Sequence, residues 1–134
     1  MTTILIPTDF SHNAMHAIKY ALQLYKCERT DFYFLHAYAD EVYGPFKENG
    51  GKSIEKQKEI TRINVDQALK NTIAELTEKY HNPKHSFEAV SSFESLVDAV
   101  NDFANQINVD LLIMGTQGKT ADKKITFGSH TVQV

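Results

Sequence analysis

Asp110-Leu111-Leu112-Ile113-Met114-Gly115-Thr116-Gln117-Gly118 is the stretch on which the fold turns. Its apolar run is too short for a core helix and suits a strand buried on both faces. The glycines that follow let the chain turn tightly, or let backbone approach something closely. Strands of this type belong to parallel sheets with helices above and below. Working outward, Ile4-Leu5-Ile6, stopped by Pro7, is a second such run, and Phe32 to Tyr38 is a third, apolar apart from His36. His85 to Ser91 alternates weakly, with Phe87 and Ala89 on one side, and reads as a further strand.

Between the strands the period changes. From Ser11, a fitting N-cap, Ala14, Ile18, Ala21, Leu22 and Tyr25 recur every three or four residues, as on one helical face. A long helix is expected from about residue 54 to 80, with Val65, Leu69, Ile73, Leu76 and Tyr80 on one face and Pro83 just past its end. Leu96, Val97, Val100, Phe103 and Ile107 make another, begun by Ser92 or Glu94. Residues 40–53, with Gly44, Pro45, Gly50 and Gly51 among charges, read as an exposed loop. The order β-α-β-α-β-α-β predicts an α/β fold: a doubly wound, Rossmann-like, mostly parallel sheet of strand order 3-2-1-4, with a fifth strand absent.

The 134 residues fit one domain, long enough to bury a core without disulfide or metal staples. Hydrophobic content of 42% beside 23% charged residues is a globular balance. Lys+Arg 14 against Asp+Glu 17 gives a net charge of -3, which excludes generic phosphate-backbone binding to nucleic acid. Cys27 is the single cysteine, so an intramolecular disulfide and a cysteine-rich zinc cluster are excluded. The N-terminal residues carry no basic region followed by a long apolar run, and no apolar stretch is long enough to span a bilayer. A soluble cytoplasmic domain is expected.

The chemistry gathers after the fourth strand. Gly115-Thr116-Gln117-Gly118 is followed by nine residues and then Gly128-Ser129-His130-Thr131. Gly128-Ser129 before His130-Thr131-Val132 reads as the mouth of a helix, whose orphan N–H groups and dipole attract anions. Ser129 and Thr131 add hydroxyl donors, and the set suits a phosphate. Gly118-Lys119-Thr120 is not the end of a P-loop, because Ile113 stands where that motif needs glycine. No Gly-x-Gly-x-x-Gly follows the first strand, so a dinucleotide fingerprint is absent as well. Pro7-Thr8-Asp9 lies at the carboxyl end of the first strand and Gly115 at that of the fourth. In a 3-2-1-4 sheet these strands are neighbours across the topological switch point, where ligands of such sheets bind.

Ile-Pro-Thr-Asp-Phe-Ser at 6–11, Leu-His-Ala at 35–37 and Val-Asp-Leu-Leu-Ile-Met-Gly-Thr-Gln-Gly-Lys-Thr at 109–120 resemble the universal stress protein family, over nearly the whole chain. The spacing Gly115-x2-Gly118-x9-Gly128-Ser129 is similar to the glycine motif of that family's ATP-binding branch. The resemblance implies that Pro7, Thr8 and Asp9 line an adenosine pocket, with Asp9 near the ribose and the metal-bound phosphates. It implies a backbone contact of Ala37 with adenine, and Met114, Gly115 and Gly118 flanking adenosine and ribose. Gly128, Ser129, His130 and Thr131 would hold the phosphates. The implied ligand is ATP, or ADP or AMP, with Mg2+ shared between Asp9 and the phosphates, in a stress-response sensor or regulatory module. The alternatives are a nucleotide-free stress protein acting by protein contacts, or an adenine-nucleotide hydrolase-like enzyme.

Two departures from the family stand out. Its members continue past the glycine motif through a full helix and a fifth strand, and the turn Ser91-Ser92-Phe93-Glu94 lacks the usual Gly or Pro. Residues 1–134 are therefore expected to be C-terminally incomplete or half of a tandem pair. An exposed fourth strand is expected to pair with another copy or with a second domain.

The remaining polar residues have plainer roles. Asp9, taken alone, suits a cap, and only its place at the switch point favours a ligand. His36 is read as a satisfied buried imidazole. His12 and His16 are four apart but have no third metal ligand. His81 and His85 are read as solvated, and Cys27 as a small packing residue. Lys119, Lys123 and Lys124 either steer phosphates or are simply solvated. No Ser-His-Asp set, close carboxylate pair or arginine beside the phosphate motif is evident, so at most slow ATP hydrolysis is expected.

Overall fold

A computed structural model of the chain describes residues 2–48, 54–115 and 131–133. The elements are β1 (Thr2–Pro7), α1 (His12–Leu24), β2 (Thr30–Ala37), α2 (Ala39–Glu48), α3 (Ile54–Lys79), β3 (His85–Ser92), α4 (Leu96–Gln106), β4 (Leu111–Met114) and β5 (Thr131–Gln133). They build one sheet of order β3-β2-β1-β4-β5, every neighbouring pair parallel. The expected 3-2-1-4 order is present, with β1 in the middle: Ile4 pairs with Phe32 on one side and Leu111 on the other.

The alternation of side chains along these strands divides the core in two. Ile4, Ile6, Phe32, Phe34 and Ile113 pack with Ala17, Ile18 and Ala21 of α1 and with Val65, Leu69 and Leu76 of α3. Leu5, Leu35, Leu112 and Met114 pack with Leu96, Ala99 and Val100 of α4. The continuous apolar runs are thus strands with helices on both faces. Each fully buried Leu or Ile contributes about 1.5–3 kcal/mol relative to exposure.

The structure corrects the sequence expectations at several places. Residues 39–48 are helical, although Gly44 and Pro45 suggested a loop. Asp40 and Glu41 in the first turn complement the helix dipole, and fully buried Val42 joins the α1 and α3 core. That burial outweighs two poor helix formers. A fifth strand is present, not absent: Thr131, Val132 and Gln133 pair with Leu112, Ile113 and Met114. β-Branched Thr131 and Val132 suit the row of backbone groups that β4 would otherwise leave open. β4 is therefore not the edge, and Thr131 is not in the expected helical first turn. α4 is capped by Ser95, whose hydroxyl accepts from Asp98 N at 3.3 Å, because Ser92 still belongs to β3 and gives its hydroxyl to Glu94. Lastly, His85 is engaged, not solvated: it donates to the Tyr25 carbonyl at 2.8 Å and meets Phe32 edge-on. Cys27 is exposed, so it is not a packing residue.

Candidate functional site

The strand order reverses between β1 and β4. The chain winds from β1 outward through β2 to β3, then returns to place β4 on the other side of β1. Beyond the carboxyl ends of β1 and β4 lies the crevice such a reversal opens.

On the β1 side the exit is tied down bond by bond. Pro7 and Thr8 are buried, and Thr8 N donates to the Leu35 carbonyl at 2.8 Å, extending the ladder one residue past the strand. Thr8 Oγ1 accepts from Phe10 N at 3.1 Å, and Asp9 Oδ1 accepts from Ser11 N at 3.0 Å. Ser11 Oγ accepts from Ala14 N at 3.1 Å, the N-cap that starts α1. Three short polar side chains thus hold the amides of the turn and the first helical turn. Phe10 pays for the tightness with φ of 64°, a left-handed conformation unfavourable for a bulky side chain. Its ring rests on His36, with centroids 4.8 Å apart.

His36 projects from β2 into this turn and is only 5% exposed. Its Nδ1 donates to the Thr8 carbonyl at 2.6 Å, and its Nε2 bonds the Glu41 carboxylate in the first turn of α2. The expectation of a satisfied buried imidazole holds.

The β4 side is controlled by a missing atom. Met114 is buried, and Gly115, directly after it, lies against Asn13 in the first turn of α1. A Cβ at 115 would lie 2.9 Å from the Asn13 carbonyl oxygen and 3.1 Å from its carbon. Glycine is required here by helix packing before any ligand is considered.

Pro7, Thr8, Asp9, Ala37, Met114 and Gly115 therefore lie at the carboxyl ends of three adjacent strands, Ala37 ending β2 and Asp9 exposed in the β1 turn. Gly118, Gly128, Ser129 and His130, with Lys119, Lys123 and Lys124, fall outside the described residues. Thr131 opens β5 opposite Leu112, two residues short of the end of β4. Among the described residues no group of three or more His, Cys, Asp or Glu is arranged for a metal ion, and no helix is long and apolar enough to cross a membrane.

One feature contradicts the sequence expectation that no carboxylate pair exists. Glu94, before α4, shares a hydrogen bond with Asp102, and this contact, then burial, holds its carboxyl above the ordinary range. The two lie eight residues apart, Glu94 just ahead of α4 and Asp102 on it. Sequence reasoning also missed Glu41, which was assigned to a loop, and Phe10, which carries no polar signal.

A sequence profile of the Universal stress protein family matches residues 1–134. Universal stress protein MJ0531 of Methanocaldococcus jannaschii is 28% identical over 133 residues, covering 98% of this chain and 74% of that protein. Among solved structures, hypothetical protein MJ0577 superposes with a TM-score of 0.69 at 22% identity, covering 99% of this chain and 94% of its own. A universal stress protein in complex with cAMP superposes with a TM-score of 0.53 at 16% identity, with coverage of 99% and 94%. At these identities the solved structures share the fold.

Proposed function

The chain belongs to the universal stress protein family, and from that premise we propose that it is a stress-response module of the ATP-binding branch, with an adenine nucleotide in the β1/β4 crevice. The observation that carries this reading is the convergence of Thr8, Asp9 and Gly115 at the strand-order reversal. A fold neighbour solved with cAMP lends support. Pro7, Thr8, Asp9, Ala37, Met114 and Gly115 would surround the adenosine. Gly118, Gly128, Ser129 and His130 would hold the phosphates, and Thr131, which opens β5 opposite Leu112, would not.

The residues at hand fit such a ligand. The Asp9 carboxylate is exposed and has a second oxygen beyond the one bonded to Ser11 N, which suits a shared Mg2+. The β1 turn is fixed before any ligand arrives, which lowers the ordering cost of binding. The described residues present no nucleophile–base pair at the crevice, and a regulatory ligand in a cytoplasmic protein fits them better than a dedicated hydrolase.

Two measurements test the reading. Mass spectrometry of small molecules released on denaturing the purified protein should find ATP, ADP or AMP. ATP should raise the melting temperature by mass action, and GTP should do so less. Equal shifts with both would remove the adenine preference. No shift with either at millimolar concentration would leave the family's protein contacts as the function.

A further inference from the structure

We propose that His36 and Glu41 are positioning residues of the crevice: one buried imidazole, hydrogen-bonded through both nitrogens, sets the Thr8–Ser11 turn and joins it to α2. Its relevance to ligand binding rests on the nucleotide reading above. The Thr8 carbonyl has no proton to give, so Nδ1 carries one. Nε2 bonds the Glu41 carboxyl, so the ring is held at both ends. The ring is only 5% exposed, whereas the Glu41 side chain that holds it from α2 is 49% exposed. Two neighbouring carboxylates have other partners: Asp9 bonds Ser11 N, and Asp66 bonds Arg62 and Ser91, the strand partner of His36.

The consequence is directional. A trans peptide sets its C=O and N–H on opposite sides. With the Thr8 carbonyl turned to His36, the Asp9 N–H points away from it. The same ring supports Phe10 in its left-handed conformation. His36 therefore orients two consecutive peptides of the turn, and Glu41 acts through it.

The test compares Glu41→Gln with Glu41→Ala in the full chain. Gln keeps a hydrogen-bonding group for Nε2; Ala removes it while favouring the helix, so loss of α2 is not a confounding effect. Calorimetric titration with ATP should show parent-like affinity for E41Q and about tenfold weaker binding for E41A. Without nucleotide, amide exchange of Phe10 and Ser11 should be faster in E41A alone, and 15N spectra of the parent should show a proton on His36 Nδ1. Parent-like exchange in E41A, or a His36 Nδ1 without a proton, overturns the brace even if ATP binds. ATP binding equally well to parent and E41A overturns the positioning role. Faster exchange in E41A with no nucleotide bound by the parent supports the brace and removes the nucleotide reading instead.

Discussion

The two strands that flank the crevice leave the sheet under different kinds of control. β1 exits through a turn in which Thr8, Asp9 and Ser11 each supply an oxygen to a backbone N–H. β4 exits past Gly115, where the determinant is that nothing projects toward Asn13. Hydrogen bonds accept any side chain that offers the same atom in the same place. A steric requirement accepts only the absence of one. The β1 wall should therefore tolerate conservative exchange, and the β4 wall should tolerate none.

Gly115→Ala should have the largest effect. Its Cβ meets backbone, which cannot swing aside as a flexible side chain would, so the α1 contact must open. A loss of about 1–3 kcal/mol is expected from denaturant unfolding. An unchanged midpoint would mean that β4 is held like β1. Thr8→Val comes next: it keeps the buried shape but removes the acceptor for Phe10 N, costing about 1 kcal/mol. Ser11→Ala should cost a similar amount, about 1 kcal/mol, and Ser11→Asp, another good cap, should restore it. If Ser11→Asp is as damaging as Ser11→Ala, the idea of exchangeable acceptors fails.

Asp9→Asn should be smaller still in the melting temperature, since an amide oxygen also accepts from Ser11 N. Its effect should fall on the Mg2+ dependence of ATP binding, read by titration with and without the metal.

The smallest effect lies away from both walls. Glu94 has a raised carboxyl pKa, so its protonated pairing with Asp102 stabilises the fold in acid, and that contribution is lost as pH rises through the folded value. Asp102→Asn removes the like charge. It should raise the melting temperature slightly at pH 7 and leave it nearly unchanged near pH 4. The opposite pH trend would contradict the shared hydrogen bond.

What could be read from the residues follows the same division between local and distant causes. Ile4-Leu5-Ile6, Phe32 to Leu35 and Leu111 to Met114 announce themselves because burial on both faces leaves no polar position. Ser11 announces α1 because capping is a contact three residues long. α2 was hidden, since its local signals, Gly44 and Pro45, oppose a helix that Val42 secures through distant contacts. β5 was hidden because its three residues mean nothing without β4 beside them. The site divides likewise. Thr8, Asp9 and Gly115 were legible at the strand ends, but the His36–Glu41 bond depends on α2 and could not be seen before that helix was placed.

The central position of β1 also bears on how the protein is made. Among the described strands β1 leaves the ribosome before the others, and β2 soon covers one of its edges. The other edge must wait for Leu111 and Leu112. At about 5–20 residues per second, an apolar strand stays open on that side for about 5–20 s of synthesis. A nascent chain stalled anywhere in that interval presents the Ile4–Leu5 edge to whatever strand is nearby, so the burden on chaperones falls before the crevice exists.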